Sequence, residues 1–138
     1  MKKLILLISI VLAVTVTVNA QRVYTLDVDT LQGAETVNFE AISSSLAGTI
    51  AIQALCTETG GTSDGTLVLQ GSVDGTSYVT LTETSGLFTF YPNDTLTITD
   101  GAVLQVVVQD SPFAYYRVQG AGTASDSTQV AIKYIPKK

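Results

Sequence analysis

The 138-residue chain has no histidine, no tryptophan and a single cysteine, and its seven lysines and arginines are outnumbered by twelve carboxylates. Without histidine the commonest general base and transition-metal ligand is missing, so Ser-His and Cys-His nucleophilic sets cannot be built. One cysteine cannot form an intrachain disulfide, and without histidine it cannot supply a zinc site. Beyond Lys2-Lys3 at the start, the basic residues are scattered except for Lys137-Lys138 at the end, which argues against a nucleic-acid partner, since phosphate binding needs clustered cations. No GKS or GKT occurs, which excludes a phosphate-cradling P-loop.

Long apolar runs are also scarce, with one exception at the start. Lys2 and Lys3 precede Leu4 to Val18, and Val18-Asn19-Ala20 places modest side chains before Gln21. This is the form of a secretory signal cleaved before Gln21, and no cysteine follows to accept a lipid. An uncleaved anchor is the rival. Fifteen helical residues span roughly 22 Å, short of a ~30 Å hydrocarbon core. The expected organisation is a signal segment, 1–20, and one domain, 21–138, that touches membrane only if residues 4–18 are retained. Cleavage would remove two of the seven cations and leave five against twelve carboxylates, a net charge of −7.

From Gln21 onward the pattern is alternation. The stretch Thr66–Thr82 is the clearest: Leu67, Leu69 and Val73 can share one face, Asp74-Gly75 supplies a tight primed turn, and Val79 and Leu81 share a face on the return. Further strands are expected over 22–28 (Tyr24, Leu26 and Val28 on one face), 36–42 (Val37, Phe39, Ala41), 49–56 (Ile50, Ile52, Ala54, Cys56), 87–91, 96–98, 103–109, 115–119 and 128–135. Val103–Gln109 is apolar at both parities and reads as a strand covered on both faces. Segments 29–33, 57–65 and 120–127 read as loops, 41–48 has room for one helical turn, and Pro136-Lys137-Lys138 reads as a terminator protecting an edge. About nine short strands at this spacing imply an all-β, antiparallel β-sandwich of jelly-roll or immunoglobulin-like form.

Candidate sites follow from what is left. Cys56 shares a parity with Ile50 and Ile52 and is expected to be buried. Most aspartates (Asp64, Asp74, Asp94, Asp100, Asp110, Asp126) adjoin glycine, serine or asparagine and read as turn residues. A carboxylate pair for glycoside hydrolysis is the weakest reading. The 57–65 loop, with Glu58 and Asp64, leaves calcium open as a cofactor, although no DxDxDG pattern appears. Tyr78, Tyr91 and Tyr115 are candidates for an exposed binding face, and Arg117 is expected to pair with a carboxylate or stack on a tyrosine. Asn93-Asp94-Thr95 has the form of a glycosylation sequon.

The run Gln70-Gly71-Ser72-Val73-Asp74-Gly75-Thr76-Ser77-Tyr78, with Thr80-Leu81 and the later Tyr115-Tyr116-Arg117-Val118, resembles small β-sandwich proteins of phage virions and related secreted modules. The resemblance spans roughly residues 48–135. It is weaker for discoidin-type binding domains, from which this chain departs in carrying Tyr78 rather than tryptophan and in lacking their disulfide. The first twenty-one residues are similar to export signals of Bacteroidota. The resemblance implies a non-enzymatic structural or assembly protein of a virion (capsid decoration or tail) or a cell surface, partnered by copies of itself or a scaffold. The alternative is a secreted module that binds glycans or surface ligands through Tyr78, Tyr91, Tyr115, Arg117 and the 57–65 loop.

Overall fold

The computed structural model describes residues 22–26, 28–44, 48–61, 64–83, 87–123 and 127–137. The expected signal segment 1–20 lies outside them, as do Asp126 and parts of the loops near residues 45, 62, 85 and 125. The described residues form two packed antiparallel sheets and contain no helix, so the all-β sandwich stands.

The described residues form twelve strands: β1 (Tyr24–Thr25), β2 (Asp29–Gln32), β3 (Thr36–Asn38), β4 (Ile42–Ser43), β5 (Thr49–Gly60), β6 (Gly65–Ser72), β7 (Val79–Thr80), β8 (Phe88–Tyr91), β9 (Thr95–Thr97), β10 (Val103–Gln109), β11 (Tyr115–Gly122) and β12 (Ser127–Lys137). The first sheet runs β1-β12-β5-β10-β8, with β2 also paired to β12. The second runs β3-β11-β6-β7, with β4 also on β11 and β9 also on β6.

The core is the set of inward parities. Ile50, Ile52, Ala54 and Cys56 of β5, Leu104, Val106 and Val108 of β10, and Val130 and Ile132 of β12 meet Leu67, Leu69, Leu96, Ile98, Tyr116 and Val118 from the second sheet. Each fully buried Leu, Ile or Val contributes about 1.5–3 kcal/mol through water exclusion. Tyr116 is fully buried, and its hydroxyl shares a 2.8 Å hydrogen bond with Ser111 Oγ, so its polar tip is satisfied. Burial is the leading influence on this phenol and raises its pKa. Cys56 is buried as expected, and desolvation pushes its thiol up to about 11.

Several expectations need correction. Asp29–Gln32 is strand, not turn, because it pairs with Val130–Ser127 of β12. The 22–28 alternation does not bury its chosen face: Tyr24 and Val28 are exposed, and Leu26 is half-buried. Over 36–42 the phase changes. Asn38 pairs with Gln119 and Ile42 with Tyr116, so three residues, 39–41, face two on β11. That bulge sends Ile42 inward and Ala41 outward. β5 continues to Gly60 and β11 to Gly122, which shortens the expected 57–65 and 120–127 loops. Pro136 and Lys137 stay in register with Ile50 and Thr49, and β12 is an interior strand between β1 and β5 rather than a protected edge. β10 is covered on one face only, since Val107 on the other is 37% exposed.

The central hairpin forms, with Gln70 opposite Thr80 and Gly71 opposite Val79. Its connection is the longer loop 73–78 rather than a two-residue turn. Gly75 takes the left-handed conformation at φ 74°, while Asp74 closes the loop with its side chain. Alternation therefore stops at Ser72, and Val73 and Val79 lie exposed rather than in the core.

Candidate functional site

The two outer faces of the sandwich differ in chemistry, and the register explains why. On the second sheet, Asn38 of β3 stands opposite Gln119 of β11, and Gln70 of β6 stands between Arg117 of β11 and Thr80 of β7, so Gln70 and Gln119 are diagonal neighbours. Gln119 Nε2 donates to Asn38 Oδ1 at 2.8 Å, and Gln70 Nε2 donates to Gln119 Oε1 at 3.0 Å and, more weakly, to Thr80 Oγ1 at 3.4 Å. Arg117 Nε donates to Gln70 Oε1 at 2.8 Å, and the guanidinium lies 3.8 Å from the centroid of Tyr78. Of its two expected partners, Arg117 therefore takes the tyrosine. The result is a hydrogen-bonded ladder of three amides on three strands, extended to the Thr80 hydroxyl on a fourth and flanked by a stacked cation.

Beside the ladder, the 73–78 loop is held by Asp74. The amides of Thr76 and Ser77 each donate to Asp74 Oδ1 at 2.8 Å, and Ser72 Oγ donates to the same oxygen at 2.9 Å. These bonds, that from the Ser77 amide foremost, hold the carboxyl well below the usual carboxylate range. Tyr115 packs its ring against this loop, 3.3 Å from where a Cβ on Gly75 would lie.

Tyr78, Tyr115 and Arg117 thus share one end of the second sheet's outer face, whereas the other expected site residues do not join them. Tyr91 stands on the outer face of the first sheet, opposite Gln105, and is 69% exposed. Glu58 lies near the end of β5, where its amide donates to Asp100 Oδ1 at 3.0 Å. Asp64 precedes Gly65, the end of β6 remote from Ser72, about 23 Å away at strand spacing. Glu58 and Asp64 are solvent-exposed, and among the described residues no group of three or more histidine, cysteine or carboxylate side chains could hold a metal ion. Sequence reasoning missed Asn38, Gln70 and Gln119, whose adjacency exists only once the strand register is known.

The outer face of the first sheet is apolar and cationic. Ile135, Ala51, Val107 and Thr89 form one cross-strand row on β12, β5, β10 and β8; Lys133, Gln53, Gln105 and Tyr91 form the next; and Ala131, Leu55 and Val103 form a third. Val23, Leu55, Val107 and Tyr91 are exposed. Val23, Ala51, Val107, Ile135 and Lys133 border a depression of about 460 Å³, with Gln53 and Gln105 in its lining. Lys133 is the charged side chain of these rows and Lys137 that of the adjoining row with Thr49 and Gln109, and among the described residues no carboxylate stands on any of the four.

No family model matches the sequence, and no curated protein matches it. The fold is similar to that of solved structures. The SPBc2 prophage-derived protein YomS aligns with a TM-score of 0.55 at 7% identity, over 87% of this chain and 97% of that one. PirA aligns with a TM-score of 0.52 at 9% identity, over 86% of this chain and 99% of that one. The Yersinia pseudotuberculosis-derived mitogen aligns with a TM-score of 0.50 at 13% identity, over 86% and 88%. At these identities the likeness is one of fold.

Proposed function

We propose that the chain is a non-enzymatic structural protein that assembles with copies of itself, or with a scaffold, on a virion or a cell surface, through the outer face of its first sheet. The observation that carries this reading is that face: exposed Leu55, Val107 and Tyr91 on the adjoining strands β5, β10 and β8, Val23 at the border of the depression, and lysines with no carboxylate among the described residues. Exposed apolar side chains gathered on one sheet face around a depression mark contact with another macromolecule more often than scattered ones do. A signal-like start at residues 1–20 suits a surface location, and a chain without histidine lacks the usual means of acid–base catalysis. Sedimentation across a concentration series tests the reading. The expected result is concentration-dependent association that Val107→Glu abolishes without unfolding the domain. A wild-type chain that stays monomeric at every concentration and is absent from particle and surface fractions overturns it.

A second reading is favoured by the ladder on the opposite face. Amides at Asn38 and Gln119, fixed through buried Gln70 and lying beside Arg117 and Tyr78, present the donors and acceptors that sugar hydroxyls use. A glycan array with wild type and Gln119→Ala tests this: binding lost in the variant supports it, and no binding by the wild type removes it.

A further inference from the structure

Resting on the assembly reading above, we propose how the copies meet: the Val73–Asp74 loop tip of one copy seats in the first-sheet depression of the next, with Val73 among Val23, Ala51, Val107 and Ile135 and the Asp74 carboxylate against Lys133.

Charge disfavours the simplest alternative. Two first-sheet faces laid on each other would bring Lys133 and Lys137 of one copy toward those of the other, with no described carboxylate on either face to offset them. The chain as a whole is acidic, with a net charge of −5, so a cationic apolar face is complementary to some other part of the same surface. That part must offer an apolar side chain to fill the depression and an anion to meet Lys133. Val73 is 73% exposed, the highest value among the exposed large apolar side chains, and it is followed directly by Asp74. The other described pairing of this kind, Val28 with Asp29, belongs to the β1–β2 border of the same sheet, where Asp29 is paired to Val130 and is poorly placed to project into a neighbour.

The loop is also preorganised. Hydrogen bonds from Ser72, Thr76 and Ser77 converge on the exposed Asp74 carboxylate and fix where its charge stands, and Gly75 packs on Tyr115. A tip already fixed in the free protein loses little conformational entropy on docking. The contact joins unlike surfaces, so each copy carries both halves, and repetition builds a ring or an open filament rather than a closed two-fold dimer.

Cysteine cross-linking tests the arrangement on the full domain. Val73→Cys and Val107→Cys alter exposed positions, and buried Cys56 stays out of the exchange. Mild oxidation of the two variants mixed, each carrying a different tag, is expected to give the mixed disulfide, with little dimer from either variant alone. Lys133→Glu is expected to raise the concentration needed for assembly about tenfold or more. A Val107→Cys homodimer as the main product would show a face-to-face contact and overturn the proposal, and a Val73→Cys homodimer would show tip-to-tip contact and do the same. Absence of any disulfide in a mixture that still sediments as an oligomer would place the contact elsewhere while leaving the assembly reading intact. A wild-type chain that is monomeric throughout removes both.

Discussion

The guanidinium of Arg117 lies 3.8 Å from the centroid of the Tyr78 ring while its Nε donates to Gln70 Oε1 at 2.8 Å. One side chain of β11 thereby reaches across β6 and pins the loop residue that directly precedes β7. β7 has only two residues in register with β6, so little else in the ladder holds it. A double-mutant cycle with Arg117→Met and Tyr78→Leu, followed by chemical denaturation, is expected to show a coupling of about 0.5–1 kcal/mol. Arg117→Lys should recover only part of it, because an ammonium lacks the planar surface that stacks.

Gly71 is fixed by its neighbour. A Cβ there would lie 2.6 Å from the Phe113 ring, which cannot swing aside because it packs edge-on against buried Tyr116 and stacks with Phe88. Gly71→Ala is expected to destabilise the domain by about 1–3 kcal/mol, the range for overpacking a filled core. Gly60→Ala, where an added Cβ meets nothing within 4 Å, is the control and should be near neutral.

Cys56 gives a pH-dependent signature. Its thiol is buried and pushed up to about 11 from an ordinary 9.0, with desolvation as the cause. The folded state therefore favours the protonated thiol. Stability is unaffected by this group below pH 9.0 and falls as pH rises from there toward about 11, where the unfolded chain ionises and the folded one resists. Alkylation at neutral pH should be slow in the folded protein and fast in denaturant, and equal rates in both would refute the assignment.

The inward parities of β5, β6, β8, β10, β11 and β12 were legible because alternation holds wherever a strand runs uninterrupted, and Leu67, Phe88, Val106, Tyr116 and Ile132 all point where their spacing says. Alternation failed where pairing rather than side-chain type sets the phase. The bulge opposite Arg117 and Val118 exchanged Ala41 for Ile42, and the end of β6 released Val73 to solvent. β10 misled for another reason: an apolar outward residue such as Val107 looks the same in sequence whether another layer of the chain covers it or nothing does. The site was half legible. Tyr78, Tyr115 and Arg117 belong to one cluster, but Gln70, Gln119 and Asn38 are separated by tens of residues and become neighbours only through register.

Asp74 separates a structural role from a charge role in one residue. Its Oδ1 accepts from the amides of Thr76 and Ser77, an arrangement that an asparagine carbonyl reproduces without the charge. Asp74→Asn is therefore expected to keep amide-exchange protection at Thr76 and Ser77, whereas Asp74→Ala should lose it at both. The carboxyl is held well below the usual range by those same amides, so its contribution is present above the ordinary carboxylate pKa and is lost progressively as pH falls from there through the lowered folded value. Following the Asp74 side-chain carbonyl by NMR from neutral pH into acid checks this directly. A titration in the ordinary carboxylate range would mean that the amides do not hold the loop closed in solution. If protection survives in Asp74→Asn while assembly weakens, the charge acts between copies rather than within the loop, as the contact with Lys133 requires.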